Sequence, residues 1–160
     1  MQKTNHLFIA ILALCLILLN ACSGLHAYKN TMEKNLLVKT KTDSGSFFTS
    51  VKARVDIYAV DDTCKLTYLG TINLKNKEVP IGLPNSSPTY LDFVFSSSNF
   101  LANARGSTAF DVYLTPRSGY EYLAEASYLD GIYNVVIKER KTGSNQTKEL
   151  EHKDCRPQQQ

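Results

Sequence analysis

The stretch VKARVDIYAV, residues 51–60, places Val51, Ala53, Val55, Ile57 and Ala59 at every second position, with Lys52, Arg54 and Asp56 between them. Successive side chains of an extended chain point to opposite faces. A strict period of two therefore marks a strand with one face buried and one face wet. Helical periodicity would bring these apolar residues to no common face. The segment predicts a half-buried β-strand and sets the pattern for the rest of the chain.

Working outward, the same alternation recurs. TYLGTINL (67–74) aligns Tyr68, Ile72 and Leu74 on the apolar face. KEVPIGL (77–83) aligns Val79, Ile81 and Leu83, but Pro80 cannot donate to a ladder, so this segment is expected at an edge. After the turn cluster PNSSP (84–88), TYLDFVFS (89–96) aligns Leu91, Phe93 and Phe95. A polar loop is expected from Ser96 to Arg105, and then STAFDVYLT (107–115) aligns Phe110, Val112 and Leu114. A turn at Pro116-Arg117-Ser118-Gly119 leads into GYEYLAEASYL (119–129). The next turn, Asp130-Gly131, is a type I′ hairpin signal. IYNVVIKER (132–140) returns, and a short strand is expected over 146–151. Tyr120 follows its turn as a tyrosine-corner residue would. These features imply an all-β fold, a single β-sandwich (Ig-like or related) of about seven to eight short antiparallel strands. The predicted organisation is a sandwich over 47–155, a polar tether over 22–46 with at most a short helix near 31–37, and a disordered tail over 156–160.

The N-terminus has a different character. Residues 7–19, LFIAILALCLILL, form an unbroken apolar run. A membrane-spanning helix needs about 20 such residues, so the run has the length of a signal-peptide core instead. It ends in Leu19-Asn20-Ala21-Cys22, which resembles the lipobox of bacterial lipoproteins. The resemblance implies a signal peptide over 1–21. It also implies a diacylglycerol on the Cys22 thiol and a further acyl chain, such as palmitate, on the new amine. Such chains hold a protein to a membrane because each buried methylene contributes about 0.8 kcal/mol. Ser23 stands where Asp commonly marks inner-membrane retention, which implies the outer membrane, with the domain facing the periplasm. The size and plan are similar in architecture to the lipoprotein of type VI secretion systems, with no distinctive motif in common.

Beyond Cys22 there remain Cys64 and Cys155. In an oxidising compartment an even count predicts a pair. Two cysteines so far apart read as a staple across the domain; redox-active pairs usually sit close together, as in CxxC. The net charge is +3 with no block of like charge, which argues against nucleic acid as a partner. Of the histidines, His26 falls in the tether and His152 near the tail, so neither is held against a nucleophile. Cofactor and metal signatures are missing, and Asp61-Asp62 reads as a solvated turn. The chain is thus expected to be non-enzymatic. By parity Tyr58 and Tyr113 point away from the apolar faces of their strands and are candidates for an outward aromatic patch. Phe100 and Leu101, an apolar pair in a polar loop, either meet a partner or plug the end of the sandwich. Two functions remain in view: an assembly module that binds another envelope protein, and a glycan or small-ligand binder that stacks its ligand on tyrosines. The first expects an apolar loop end or an open strand edge; the second expects aromatics gathered on one face.

Overall fold

The structure, a computed structural model, describes residues 24–75, 77–129, 131–151 and 155. The lipobox with Cys22, Asp130, His152 and the tail at 156–160 lie outside the described residues. Nine strands follow in order: β1 (Leu36–Asp43), β2 (Thr49–Val60), β3 (Leu66–Leu74), β4 (Glu78–Ile81), β5 (Thr89–Asn99), β6 (Ala104–Leu114), β7 (Tyr120–Leu129), β8 (Ile132–Lys141) and β9 (Thr147–Glu149). They form a β-sandwich. One sheet has the order β4-β1-β7-β8-β9, the other β3-β2-β5-β6.

The period-two alternation of β2 and its neighbours builds the core. Val55 and Ile57 of β2 and Leu91, Phe93 and Phe95 of β5 are wholly buried from one sheet. Leu36 and Val38 of β1 and Tyr122, Ala124 and Ala126 of β7 meet them from the other. The small β7 residues leave room for the large β5 rings. Full burial of each such aliphatic or aromatic side chain contributes about 1.5–3 kcal/mol. Cys64 and Cys155 are bonded, with Cα atoms 5.8 Å apart across 91 positions of sequence.

Four expectations are corrected. First, part of the segment read as a tether belongs to the sandwich. Leu36–Asp43 forms β1, an interior strand between β4 and β7, and its pairing with β7 is parallel, so the sandwich is not purely antiparallel. Ahead of it, Tyr28 is buried and its hydroxyl donates to the Gly82 carbonyl at 2.7 Å. Asn35 receives the Leu83 amide and donates to the Leu83 carbonyl, both at 2.8 Å. Residues 24–35 are therefore a strap held along the domain. It passes so close to Gly70 and Gly82 that a Cβ would lie 2.6 Å from the Tyr28 backbone at the first and 2.5 Å from the Met32 carbonyl oxygen at the second.

Second, Tyr68 is not on the apolar face. The β2–β3 register runs Ile57↔Gly70 and then Tyr58↔Tyr68, so Leu69 is an extra residue. This β-bulge, eased by Gly70 at φ 137°, turns Leu69 toward the core and Tyr68 outward. Third, the expected loop from Ser96 to Arg105 is mostly strand. β5 and β6 pair through Asn99↔Ala104, so only the hairpin tip at 100–103 is loop. Fourth, the side chain that reaches back to the turn is that of Tyr122, whose hydroxyl accepts from the Arg117 amide at 3.0 Å. Tyr120 instead lies under the Arg117 guanidinium, 3.9 Å from its ring centre. At the β7–β8 turn Gly131 has φ 83°, as a two-residue hairpin requires.

Candidate functional site

The two sheets expose very different outer faces. The five-stranded sheet carries an ionic lattice: Lys39–Glu78, Lys138–Glu125 and Arg140–Glu121. Exposed pairs of this kind contribute little energy and give a solvated surface. The outer face of the four-stranded sheet instead carries two cross-strand rows. One is Tyr68, Tyr58, Tyr90 and Tyr113, one residue from each strand, directly opposite one another. The next row is Thr71, Asp56, Asp92 and Asp111.

Tyr58 and Tyr113 thus share the outward patch that parity predicted, with Tyr90 and Tyr68 completing it. Tyr90 was within reach of the same parity argument. Tyr68 was not, because the bulge at Leu69 reverses its face. The rings pack at an angle: Tyr58 lies 5.3 Å from Tyr68, tilted at 52°, and 6.0 Å from Tyr90, edge on at 73°. His26 closes the row, its ring 4.8 Å from Tyr68 and its Nε2 3.1 Å from the Leu69 carbonyl oxygen.

The aspartate row is held tightly. Asp56 is only 3% exposed. Its carboxylate accepts from Arg54 Nε at 3.0 Å and from the Thr71 hydroxyl. Asp92 has one oxygen that is buried and meets no donor among the described residues. Burial, and then the charges of Asp56 and Asp111, push the Asp92 carboxyl above the usual carboxylate range, with Arg54 opposing them. Tyr90 is pushed up to about 12 by burial and by its hydrogen bond to Asp111.

A raised folded-state pKa means that the folded protein holds the Asp92 proton more tightly than the unfolded chain. The stability this gives is complete below the ordinary value of 3.8 and is lost as pH rises through the raised one. At neutral pH the Asp92 charge is a cost. Asp92→Asn is therefore expected to stabilise the protein at pH 7 by about 1 kcal/mol and to flatten the rise in stability on mild acidification. Urea unfolding of both proteins from pH 4 to pH 7 measures this. A variant less stable than the parent at every pH would show that Asp92 is satisfied as a carboxylate.

A second surface lies at the end of the sandwich where β2 begins and the β5–β6 hairpin turns. Phe47 is 98% exposed, Phe100 86% and Leu101 68%, and Phe48 is about half exposed. The Phe100 amide donates to the Phe48 carbonyl at 3.0 Å, which ties the two loops together. Phe47 and Phe48 meet edge to face at 5.6 Å. Phe100 and Leu101 therefore do not plug the sandwich; they stand clear of it. Phe47 and Phe48 join them from the Ser- and Gly-rich segment SGSFFTS, whose bulky pair was the available signal.

At the opposite end, Asp61 accepts from the Thr63 amide and hydroxyl and from the Lys65 amide, which hold its carboxyl below the usual range. That end also carries the Cys64–Cys155 bond. No cluster of three or more potential metal ligands occurs among the described residues. The chain matches no family model, no curated protein and no solved structure.

Proposed function

We propose that this chain is a lipid-anchored, non-enzymatic docking module of the bacterial envelope. Cys22 carries the acyl chains, the outer membrane holds them, and the sandwich faces the periplasm and binds another envelope protein through its apolar tip. A structural part of a secretion machine is one form of this reading. The observation that carries it is the four-residue tip of Phe47, Phe48, Phe100 and Leu101, gathered from two loops and left open to solvent. Single exposed apolar residues are ordinary, but a contiguous group on bonded loops fits a contact surface.

The position of the tip supports the same reading. Ala27 bridges Thr71 of β3 in parallel, so the chain before it runs back toward the start of β3, the end that carries Cys64. Cys22 lies two residues ahead of Gly24, the first described residue. Residues 24–26 thus head for the end of strand β2 opposite the tip. The tip would be presented away from the lipid.

The second reading, a glycan or small-ligand binder, draws on the tyrosine row. Stacking a sugar needs an open, flat ring face, and here the rings are half-buried and Tyr58, Tyr68 and Tyr90 pack at an angle to one another. The row suits a contact surface for a protein better than a stacking platform.

The test is in-cell cross-linking of the tagged full chain, with captured proteins identified by mass spectrometry. The Cys22→Ala form and a Phe47→Ser/Phe100→Ser form run alongside. One dominant envelope protein, reduced at least tenfold in both variants, is the expected result. Equal capture by parent and tip variant would overturn the tip as the docking surface. A specific oligosaccharide bound by the purified chain, with no protein captured, would move the assignment to the tyrosine face.

A further inference from the structure

A sheet edge presents unpaired backbone groups to any passing strand, and folded proteins usually blunt such edges. Three of this sandwich's four edges are blunted. The strap covers β3: the Thr71 amide donates to His26 and the Tyr28 amide to Thr71. β4 is four residues long and contains Pro80, which removes a donor. β9 is three residues long. The fourth edge, β6, runs for eleven residues, and among the described residues no backbone bond reaches its outer side.

The sequence of β6 shows what fits there. About Thr108 as centre, Arg105 and Asp111 stand three residues to either side, both exposed and both on the outer face. Gly106 and Phe110 stand two residues to either side, both on the core-facing side. In an antiparallel pair of two β6 strands centred on Thr108, Arg105 meets Asp111 of the second copy, and the same pair repeats across the axis. Phe110 covers Gly106 of the second copy, again twice. Opposite charges directly across a strand pair are favourable, and an aromatic beside an edge glycine restores the packing the glycine lacks. Neighbouring registers that keep the two faces matched put Arg105 opposite Ala109 or Tyr113 and lose both pairings. Arg105 has no ionic partner within its own chain among the described residues, and Asp111 lies at the end of a row of like charges.

We propose that the chain forms a two-fold symmetric dimer through β6, in register about Thr108, giving one continuous eight-stranded sheet. The interface is isologous and needs neither the apolar tip nor the lipid anchor.

Site-directed disulfide trapping of the full chain in cells tests it. Directly opposed residues of an antiparallel pair have Cα atoms about 4.5–5.5 Å apart, within the range of about 4.4–6.8 Å that a disulfide accepts. Thr108→Cys should thus cross-link to its own copy under mild oxidation. Ala104→Cys should not, because its two copies would lie roughly 27 Å apart at about 3.3 Å per residue. The parent chain sets the background from its native cysteines, and the intact Cys64–Cys155 bond, read from gel mobility, confirms that each variant folds. The expected result is a dimer band for Thr108→Cys at least fivefold above Ala104→Cys. Adding Arg105→Asp should lower it roughly five- to tenfold, and adding Asp111→Arg to that should restore it. A band no stronger than that of Ala104→Cys, an adduct with a different protein, or a double charge swap that fails to recover the band would each overturn the proposal.

Discussion

Removal of the Cys64–Cys155 bond, by Cys64→Ala with Cys155→Ala, is expected to lower the unfolding free energy by about 2–5 kcal/mol. The bond closes a loop across 91 positions, so the unfolded chain loses much freedom when it is present. Its local effect is also large, because little else holds the C-terminal segment. β9 has three residues, all exposed, and among the described residues it pairs only with β8. Beyond it, the Leu150 amide donates to the Ile137 carbonyl at 2.8 Å and the Leu150 side chain packs on the core. Without the bond, residues 147–151 should lose amide protection first. The chain has nine tyrosines and no tryptophan, so tyrosine fluorescence reports urea unfolding cleanly. An unchanged urea midpoint would mean that the staple ties together parts already held by packing.

Gly82→Ala should cost about 2–3 kcal/mol, the range of an overpacked site. The reason is steric rather than conformational. The new Cβ would sit 2.5 Å from the Met32 carbonyl oxygen and 2.8 Å from that of Glu33, and both are backbone atoms. The strap must move away, and the bond from the Tyr28 hydroxyl to the Gly82 carbonyl goes with it. Limited proteolysis should then cut within residues 24–35 faster than in the parent. Gly24→Ala is the matched control, since no atom of the described residues lies within 4 Å of its added carbon. A Gly82→Ala protein as resistant to protease as the parent would show that the strap can ride outward at no cost.

What could be read from the residues follows what each residue's surroundings impose. β2, β5 and β7 have one face in the core and one in water, so their alternation is strong and their inward residues were legible. β1 carries the same pattern, with Leu36, Val38 and Thr40 inward. Its third inward residue is polar, however, and its main partner, β7, lies far along the sequence. No turn signal joins the two, and the segment reads as a tether. The polar end of β5 reads as a loop for a related reason. Ser96–Asn99 lies at the hairpin end, where little is packed against it, so no apolar period marks it as strand. Tyr58 and Tyr113 were recoverable from parity alone. The aspartate row was not, because Asp56, Asp92 and Asp111 become neighbours only once the register of three strands is known. The single-residue bulge at Leu69 likewise leaves no trace beyond the glycine that follows it.

The order in which the strands appear along the chain has a consequence for biogenesis. All four strands of one sheet, β3-β2-β5-β6, are complete once synthesis passes Leu114. The other sheet then has only β1 and β4, and β1 lacks β7, its second neighbour. Until β7 and β8 emerge, the apolar side of the finished layer, with Phe93, Phe95, Val55 and Ile57, has no cover. At about 5–20 residues per second this interval lasts on the order of seconds. A half-built sandwich of this kind is a natural client for a holding chaperone, and its most aggregation-prone moment falls between the emergence of β6 and that of β8.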